Sequence, residues 1–160
     1  MNADLYALAQ AAISVVLGGV VGWERERAGT GAGLRTHMLL CLAATMFMRV
    51  GDFLMIHANA SQDHGTLRTD PIPLISAIVT GVSFLGAGTI FRDVNVREAY
   101  GLTTAASLLV VATIGISVAL ERYILAVGTT MLALLVLRVI FRLEHKQPAQ
   151  KPNSQKGSTE

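Results

Sequence analysis

The chain alternates long apolar runs with short clusters of charge. No charged residue lies between Asp4 and Glu24, between Asp70 and Arg92, or between Glu98 and Glu121, and these gaps hold 19, 21 and 22 residues. A bilayer core of about 30 Å takes roughly 20 helical residues to cross. The pattern therefore predicts membrane-spanning helices over Leu5 to Trp23, Pro71 to Phe91 and Gly101 to Leu120. Only 13 residues separate Arg35 from Arg49, so a further span over Leu34 to Ile56 requires Arg49 to reach outward along its own stem. From Ala99 to Leu137 run 39 residues whose only charges are Glu121 and Arg122. As one helix they would be about 58 Å long at 1.5 Å per residue. The chain must turn at Glu121-Arg122, which leaves a fifth span over Tyr123 to Phe141. Asp70-Pro71 has the form of an N-cap followed by proline at the first helical position.

Residues 1–142 thus form one transmembrane domain, an all-α integral membrane fold of five helices. Residues 143–160, rich in Gln, Lys, Pro, Ser and Gly with almost nothing to bury, read as a disordered cytoplasmic tail. Composition agrees: 52% of residues are hydrophobic and 15% charged, against about 25% charged in soluble domains. That excludes a large soluble enzyme and a disordered chain.

Lys and Arg fix the expected orientation. With the N-terminus outside, Arg25, Arg27, Arg35, Arg92, Arg97, Arg138, Arg142, Lys146, Lys151 and Lys156 share the inner side, and Arg49, Arg68 and Arg122 the outer. The C-terminus is then inside, in a multi-pass protein whose partner is first the lipid bilayer. The basic residues are scattered over short loops without a stacking aromatic stripe, so nucleic acid is not an expected partner. No Lys or Arg precedes the first apolar run and no small-residue cleavage site with a polar mature segment follows it, so the first helix is expected to stay. Cys41, the single cysteine, lies mid-span and reads as a small buried apolar side chain.

An offset of 68 residues lays Leu17-Gly18 on Leu85-Gly86, Gly33-Leu34 on Gly101-Leu102, Thr36 on Thr104, Leu40 on Leu108 and Ala44-Thr45 on Ala112-Thr113. Helices one and two, and three and four, then form two parallel-repeat hairpins about an axis along the membrane normal, with helix five unpaired. Small residues recur at four-residue intervals, Gly18 with Gly22 and Ala77 with Gly81. Lipid gives apolar helices no hydrophobic reason to associate, so close approach at such residues is expected to hold the bundle. Packing is the expected role of most of these glycines; the functional reading is that Gly86-Ala87-Gly88 loosens the inner end of helix three and exposes backbone groups to a cavity.

The densest polar cluster is Glu24-Arg25-Glu26-Arg27, followed by Gly29, Gly31 and Gly33 and then Arg35-Thr36-His37. One reading is an interfacial collar. The other is a latch, with Glu24 or Glu26 pairing Arg92 or Arg97 and Asp93 or Glu98 pairing Arg35 across the repeat. The glycines lack the Lys-Ser/Thr of a P-loop and the strand of a dinucleotide fingerprint, and read as a turn. His57, Asp63 and His64 share the outer loop, read as solvated, and no nucleophile-base-acid set is discernible. The expectation is a non-enzymatic protein with no cofactor and no metal centre. No acidic residue falls at a span midplane; Asp52 is placed to pair with Arg49 one turn earlier.

Several blocks resemble those of the MgtC/SapB family of bacterial inner-membrane proteins: Glu24-Arg25-Glu26 with Gly33-Leu34-Arg35-Thr36-His37, Asp70-Pro71, Gly81 through Phe84-Leu85-Gly86-Ala87-Gly88, and Gly101 through Ala106 with Ile114-Gly115. The resemblance covers about Leu5 to Arg142. It implies a helical membrane domain with its N-terminus outside, an association with growth in low magnesium and, in pathogens, with survival inside host cells, and action as a regulator of other membrane proteins. Two departures stand out. Pro73 occupies the place of an arginine two residues after Asp-Pro, and the chain ends in an 18-residue tail where many members continue into a cytoplasmic ferredoxin-type domain. The residues that transfer are Glu24, Arg25, Glu26, Arg35, Thr36, Asp70, Gly86, Gly88, Gly101, Thr103 and Thr104, as motif positions of functional or interhelical role. The expected function is assembly with, or regulation of, other membrane proteins or a second copy. The alternative is a small carrier or channel with its path between the hairpins; a membrane fragment served by a separate soluble subunit is a third.

Overall fold

The computed structural model describes residues 3–60, 72–92 and 99–144. These residues form α1 (Ala3–Arg27), α2 (Leu34–Ala60), α3 (Ile72–Ala87), α4 (Leu102–Ala119) and α5 (Tyr123–Glu144). Between α3 and α4 lies a minimal antiparallel ladder of β1 (Phe91–Arg92) and β2 (Ala99–Tyr100), with Phe91 opposite Tyr100. Among the described residues three helices are long and apolar enough to cross a membrane: α1, α2 over Leu34–Ile56, and α4. The apolar stretches Ile72–Ala87 and Tyr123–Arg138 are shorter.

Two expected boundaries move. The third helix stops at Ala87 instead of running to Phe91, because Thr89 donates both its backbone N–H and its hydroxyl to Gly86 O, at 2.9 and 2.7 Å, and the chain then enters the ladder. The last turn of α3 is thereby tied down, which fits the packing reading of Gly86 better than a loosened end. At the other end α5 continues through Glu144, so Leu143 and Glu144 belong to a helix and not to the tail. The Asp70-Pro71 cap and residues 145–160 lie outside the described residues.

The turn forced at Glu121-Arg122 is present, and its hydrogen bonds explain how it stops a helix. Glu121 adopts the left-handed conformation at φ 62°. Its N–H donates to Val118 O at 3.0 Å and that of Arg122 to Ser117 O at 2.9 Å, the pair of bonds that closes a Schellman motif. α1 ends the same way, with Gly29 at φ 69°, its N–H on Glu26 O and that of Thr30 on Arg25 O. Glycine occupies the left-handed position without penalty; glutamate does not.

Contacts between helices fix their directions. Gly18 meets Cys41 and Gly22 meets Leu34, so α1 and α2 run antiparallel. Hydrogen bonds join His37 to Ser107 and Thr45 to Gly115, equal steps along both chains, so α2 and α4 run parallel. Gly86 near the end of α3 meets Ala105 near the start of α4. Tyr123 at the start of α5 meets Tyr6 and Gln10 near the start of α1. The five helices therefore alternate in direction, with α4 packed against each of the others. It is the most buried helix, with Leu108, Val111, Ile114 and Val118 all enclosed. The outward faces are apolar: Phe84 is 81% exposed and Ile124 92%. Large apolar side chains exposed on every helix describe a surface built for lipid.

Replacing Glu121 by glycine relieves a left-handed position that costs an L-residue about 1 kcal/mol. Glu121→Gly is expected to raise the thermal midpoint of the purified protein, read by fluorescence-detected unfolding, whereas Gly29→Ala is expected to lower it.

Candidate functional site

Polar residues inside an apolar bundle are costly unless hydrogen-bonded, so their placement marks where the chain has a reason to keep them. On α1 the residues Gln10, Ser14, Gly18, Gly22 and Arg25 fall at helical spacing and all are buried. On α2 the matching stripe is His37, Cys41 and Thr45, each fully enclosed. α4 contributes Thr104, Ser107, Gly115 and Ser117. The polar interior is thus a seam where α1, α2 and α4 meet.

Glycine makes that seam possible. A Cβ on Gly18 would stand 2.6 Å from Cys41 Cβ and 2.8 Å from His37 O, and one on Gly22 would stand 2.8 Å from Leu34 Cα and 2.9 Å from His37 Cβ. A Cβ on Gly115 would run into Cys41 O. Backbones this close carry polar groups into direct reach. Thr45 Oγ1 donates within 3.0 Å of Cys41 O and 2.9 Å of Gly115 O. His37 Nδ1 is 2.9 Å from Gly33 O and Nε2 is 3.0 Å from Ser107 Oγ. Toward the start of α1, Gln10 Nε2 donates to Val118 O at 3.1 Å and to Tyr123 Oη at 3.3 Å, and Tyr6 Oη lies 3.1 Å from Tyr123 Oη. Gln10 Oε1 is buried without a hydrogen-bond partner.

At the end of α1 the charged cluster divides its labour. Glu24 and Arg25 are 9% and 3% exposed and form an ion pair, Nε to Oε2, at 2.6 Å. Glu26, on the exposed side, accepts the Leu34 N–H at 2.8 Å and so caps the start of α2, where a carboxylate also meets the positive helix terminus. Gly33 leaves room for that carboxylate: a Cβ there would lie 2.8 Å from Glu26 Oε2. Both acids expected to latch across to the second loop are therefore engaged within the first hairpin. Arg97, one of the two arginines read as their partners, and Asp93 and Glu98, read as partners of Arg35, lie outside the described residues. Arg27 stacks over Trp23 at 5.2 Å.

The remaining motif positions separate into packed and exposed. Arg35, Thr36, Gly88 and Thr103 are exposed, and Thr104 is buried, its carbonyl accepting the Ser107 hydroxyl at 2.8 Å. Gly86 is buried against Ala105, and a Cβ there would sit 3.3 Å from Ala105 Cβ. Gly101 holds the left-handed cap of α4 at φ 91°, where any Cβ would run into Thr89 O. Asp70 lies outside the described residues, as do Asp63 and His64. Asp52 pairs with Arg49 at 3.7 Å, as its spacing predicted. Among the described residues no three His, Cys, Asp or Glu side chains converge in a geometry for metal.

The motif residues thus mark the α1–α2 and α3–α4 connections and the helix crossings of one bundle. The profile of the MgtC family matches residues 11–146. The chain belongs to the MgtC family. It is 39% identical over 132 residues to YhiD of Escherichia coli (strain K12), whose name assigns it magnesium transport provisionally; the match covers 82% of this chain and 59% of that one. It is 32% identical over 145 residues to protein MgtC of Salmonella typhimurium (strain 14028s), covering 90% and 56%, and 37% identical over 102 residues to protein MgtC of Brucella abortus (strain 2308), covering 63% and 37%. The chain spans little more than half the length of the first two relatives. No solved structure matches it.

Sequence reasoning placed the inner cluster of this MgtC-family chain but passed over His37, Gln10, Ser107 and Thr45 as site residues. Their signal was present as polar residues at four-residue spacing inside apolar spans, Gln10 with Ser14 and His37 with Cys41 and Thr45.

The glycines provide a direct check. Gly22→Ala is expected to destabilise the protein by about 1–3 kcal/mol through overpacking against α2. Gly81→Ala, where a Cβ meets nothing within 4 Å, should leave the thermal midpoint unchanged or raised.

Proposed function

We propose that this MgtC-family protein is a non-enzymatic, multi-pass protein of the bacterial inner membrane that acts by helix-to-helix contact with another membrane protein or a second copy. All five helices span in this reading. The N-terminus is outside and the C-terminus inside, with α1–α2 and α3–α4 as parallel repeats. The alternating helix directions support it, as do the matched starts of α2 and α4 at Leu34 and Leu102 and their parallel packing. Arg25, Arg27 and Arg35 then lie at the inner face, in keeping with the excess of Lys and Arg there.

The observation that carries the contact proposal is how the structure sorts the small residues. Gly18, Gly22 and Gly115 are used up inside the chain, each pressed against α2. Ala77 and Gly81 on α3 are not; they line an apolar groove of about 380 Å³ between α2 and α3, with Leu40, Phe47, Leu74 and Leu85 along its walls. A small-residue pair facing outward on a lipid-exposed helix suits close approach by another transmembrane helix. The association with low-magnesium growth enters by resemblance to the family.

Transport is the second reading, favoured by the name of YhiD and by the polar seam of α1, α2 and α4. Its path would run between the hairpins, past Thr104.

Photo-crosslinking in cells decides between them. A crosslinker at position 81 is expected to capture a membrane protein, with one at position 22 as the buried control that captures none; equal labelling at both positions overturns the groove as the contact face. Purified protein in liposomes that moves Mg²⁺, with flux lost on bulky substitution of Thr104, would instead establish transport.

A further inference from the structure

His37 lies where three helices meet. It belongs to α2, Gly18 of α1 presses against its backbone and Gly22 against its Cβ, and its ring reaches Ser107 of α4. The side chain is fully enclosed. Counting protons around the ring gives a result that distances alone do not. Gly33 O can only accept, so the 2.9 Å contact places a proton on Nδ1. Ser107 Oγ lies 3.0 Å from Nε2 and 2.8 Å from Thr104 O, yet a hydroxyl has one proton to give. If the ring is neutral, Nε2 is bare and takes the Ser107 proton, and the bond to Thr104 O is given up. If the ring holds a second proton, Nε2–H donates to Ser107 Oγ, the hydroxyl turns to Thr104 O, and all three bonds form together.

We propose that His37 is a proton-binding site at the junction of α1, α2 and α4, where uptake of one proton reverses the hydrogen bond to Ser107 and makes the α2–α4 contact charge-assisted. The ligand is a proton, and the atoms that change partners are His37 Nε2, Ser107 Oγ and Thr104 O. Hydrogen bonds with an ionised partner are shorter and roughly twice as strong as neutral ones, so the loaded site binds α2 to α4 more tightly. The charged groups that act on the ring from α1 are Arg25 and Glu24, themselves paired. Enclosure and Arg25 work against a charge on the ring and Glu24 works for it, so the bonds to Gly33 O and Ser107 Oγ have to hold the second proton. On α2 Cys41 lies one turn further along the buried stripe, and α4 carries no charged residue from Leu102 to Ala119.

The test is ¹⁵N NMR of the imidazole in the full chain carrying His57→Gln, His64→Gln and His145→Gln, so that His37 is the only histidine, in lipid nanodiscs. Between about pH 8 and pH 5, the range in which histidine ordinarily changes charge, the expected result is an Nδ1–H tautomer at the alkaline end and protonation of both nitrogens at the acid end. Loss of one hydrogen bond in Ser107→Ala should move the midpoint down by about 0.5–1 pH unit, and Ser107→Thr, which keeps the hydroxyl, should hold it. A ring that stays singly protonated across the range, an Nε2–H tautomer at the alkaline end, or a midpoint indifferent to Ser107→Ala overturns the proposal. If Ser107→Ala does not fold, the tautomer, the wild-type titration and the Ser107→Thr curve decide it.

Discussion

Everything in this bundle depends on two backbones approaching until only glycine fits between them. In water an apolar helix face is driven against its neighbour by burial; in lipid that force is absent, and association rests on close packing and interhelical hydrogen bonds. Gly18 and Gly22 bring α1 onto α2, and Gly115 brings α4 onto the same stretch of α2 from the other side. The polar seam follows from this. Thr45 reaches Gly115 O because no Cβ stands at position 115, and His37 reaches Ser107 two turns away along the same parallel crossing.

The same constraint explains why the bundle is unequal. α4 packs against each of the other four helices and is mostly buried, whereas α3 touches α2 lightly and leaves a groove beside Gly81. The two halves match in sequence at Thr36 and Thr104, but Thr36 is exposed and Thr104 buried. Thr45 and Thr113 match likewise, with Thr45 buried and Thr113 exposed. Positions that match at the 68-residue offset therefore meet different surroundings, and neither half holds the buried partner at both.

Much of the architecture was legible in the chain. The charge gaps located five helices and the forced turn at Glu121-Arg122, and the one-turn spacing of Arg49 and Asp52 gave their pairing. What could not be read was contact between helices. Nothing in the spacing distinguishes a glycine that packs, such as Gly22, from one that faces outward, such as Gly81, since both sit in the same motif. The end of α3 was misplaced because Thr89 satisfies Gly86 O locally, a choice made by side-chain geometry and invisible to hydropathy. Of the two readings of Glu24 and Glu26, the latch looked to distant partners, yet near ones exist, an ion pair with the adjacent Arg25 and the N–H of Leu34. Charge complementarity names sign but not distance.

The partners of Gln10 and His37 lie 108 and 70 residues further along the chain. During synthesis the first hairpin enters the bilayer with an amide and an imidazole turned toward a helix that the ribosome has not yet made. Those groups must wait at the insertion machinery, in trapped water or against a chaperone, until α4 arrives. The contacts that satisfy these two side chains are therefore complete only when α4 and α5 have both joined the first hairpin.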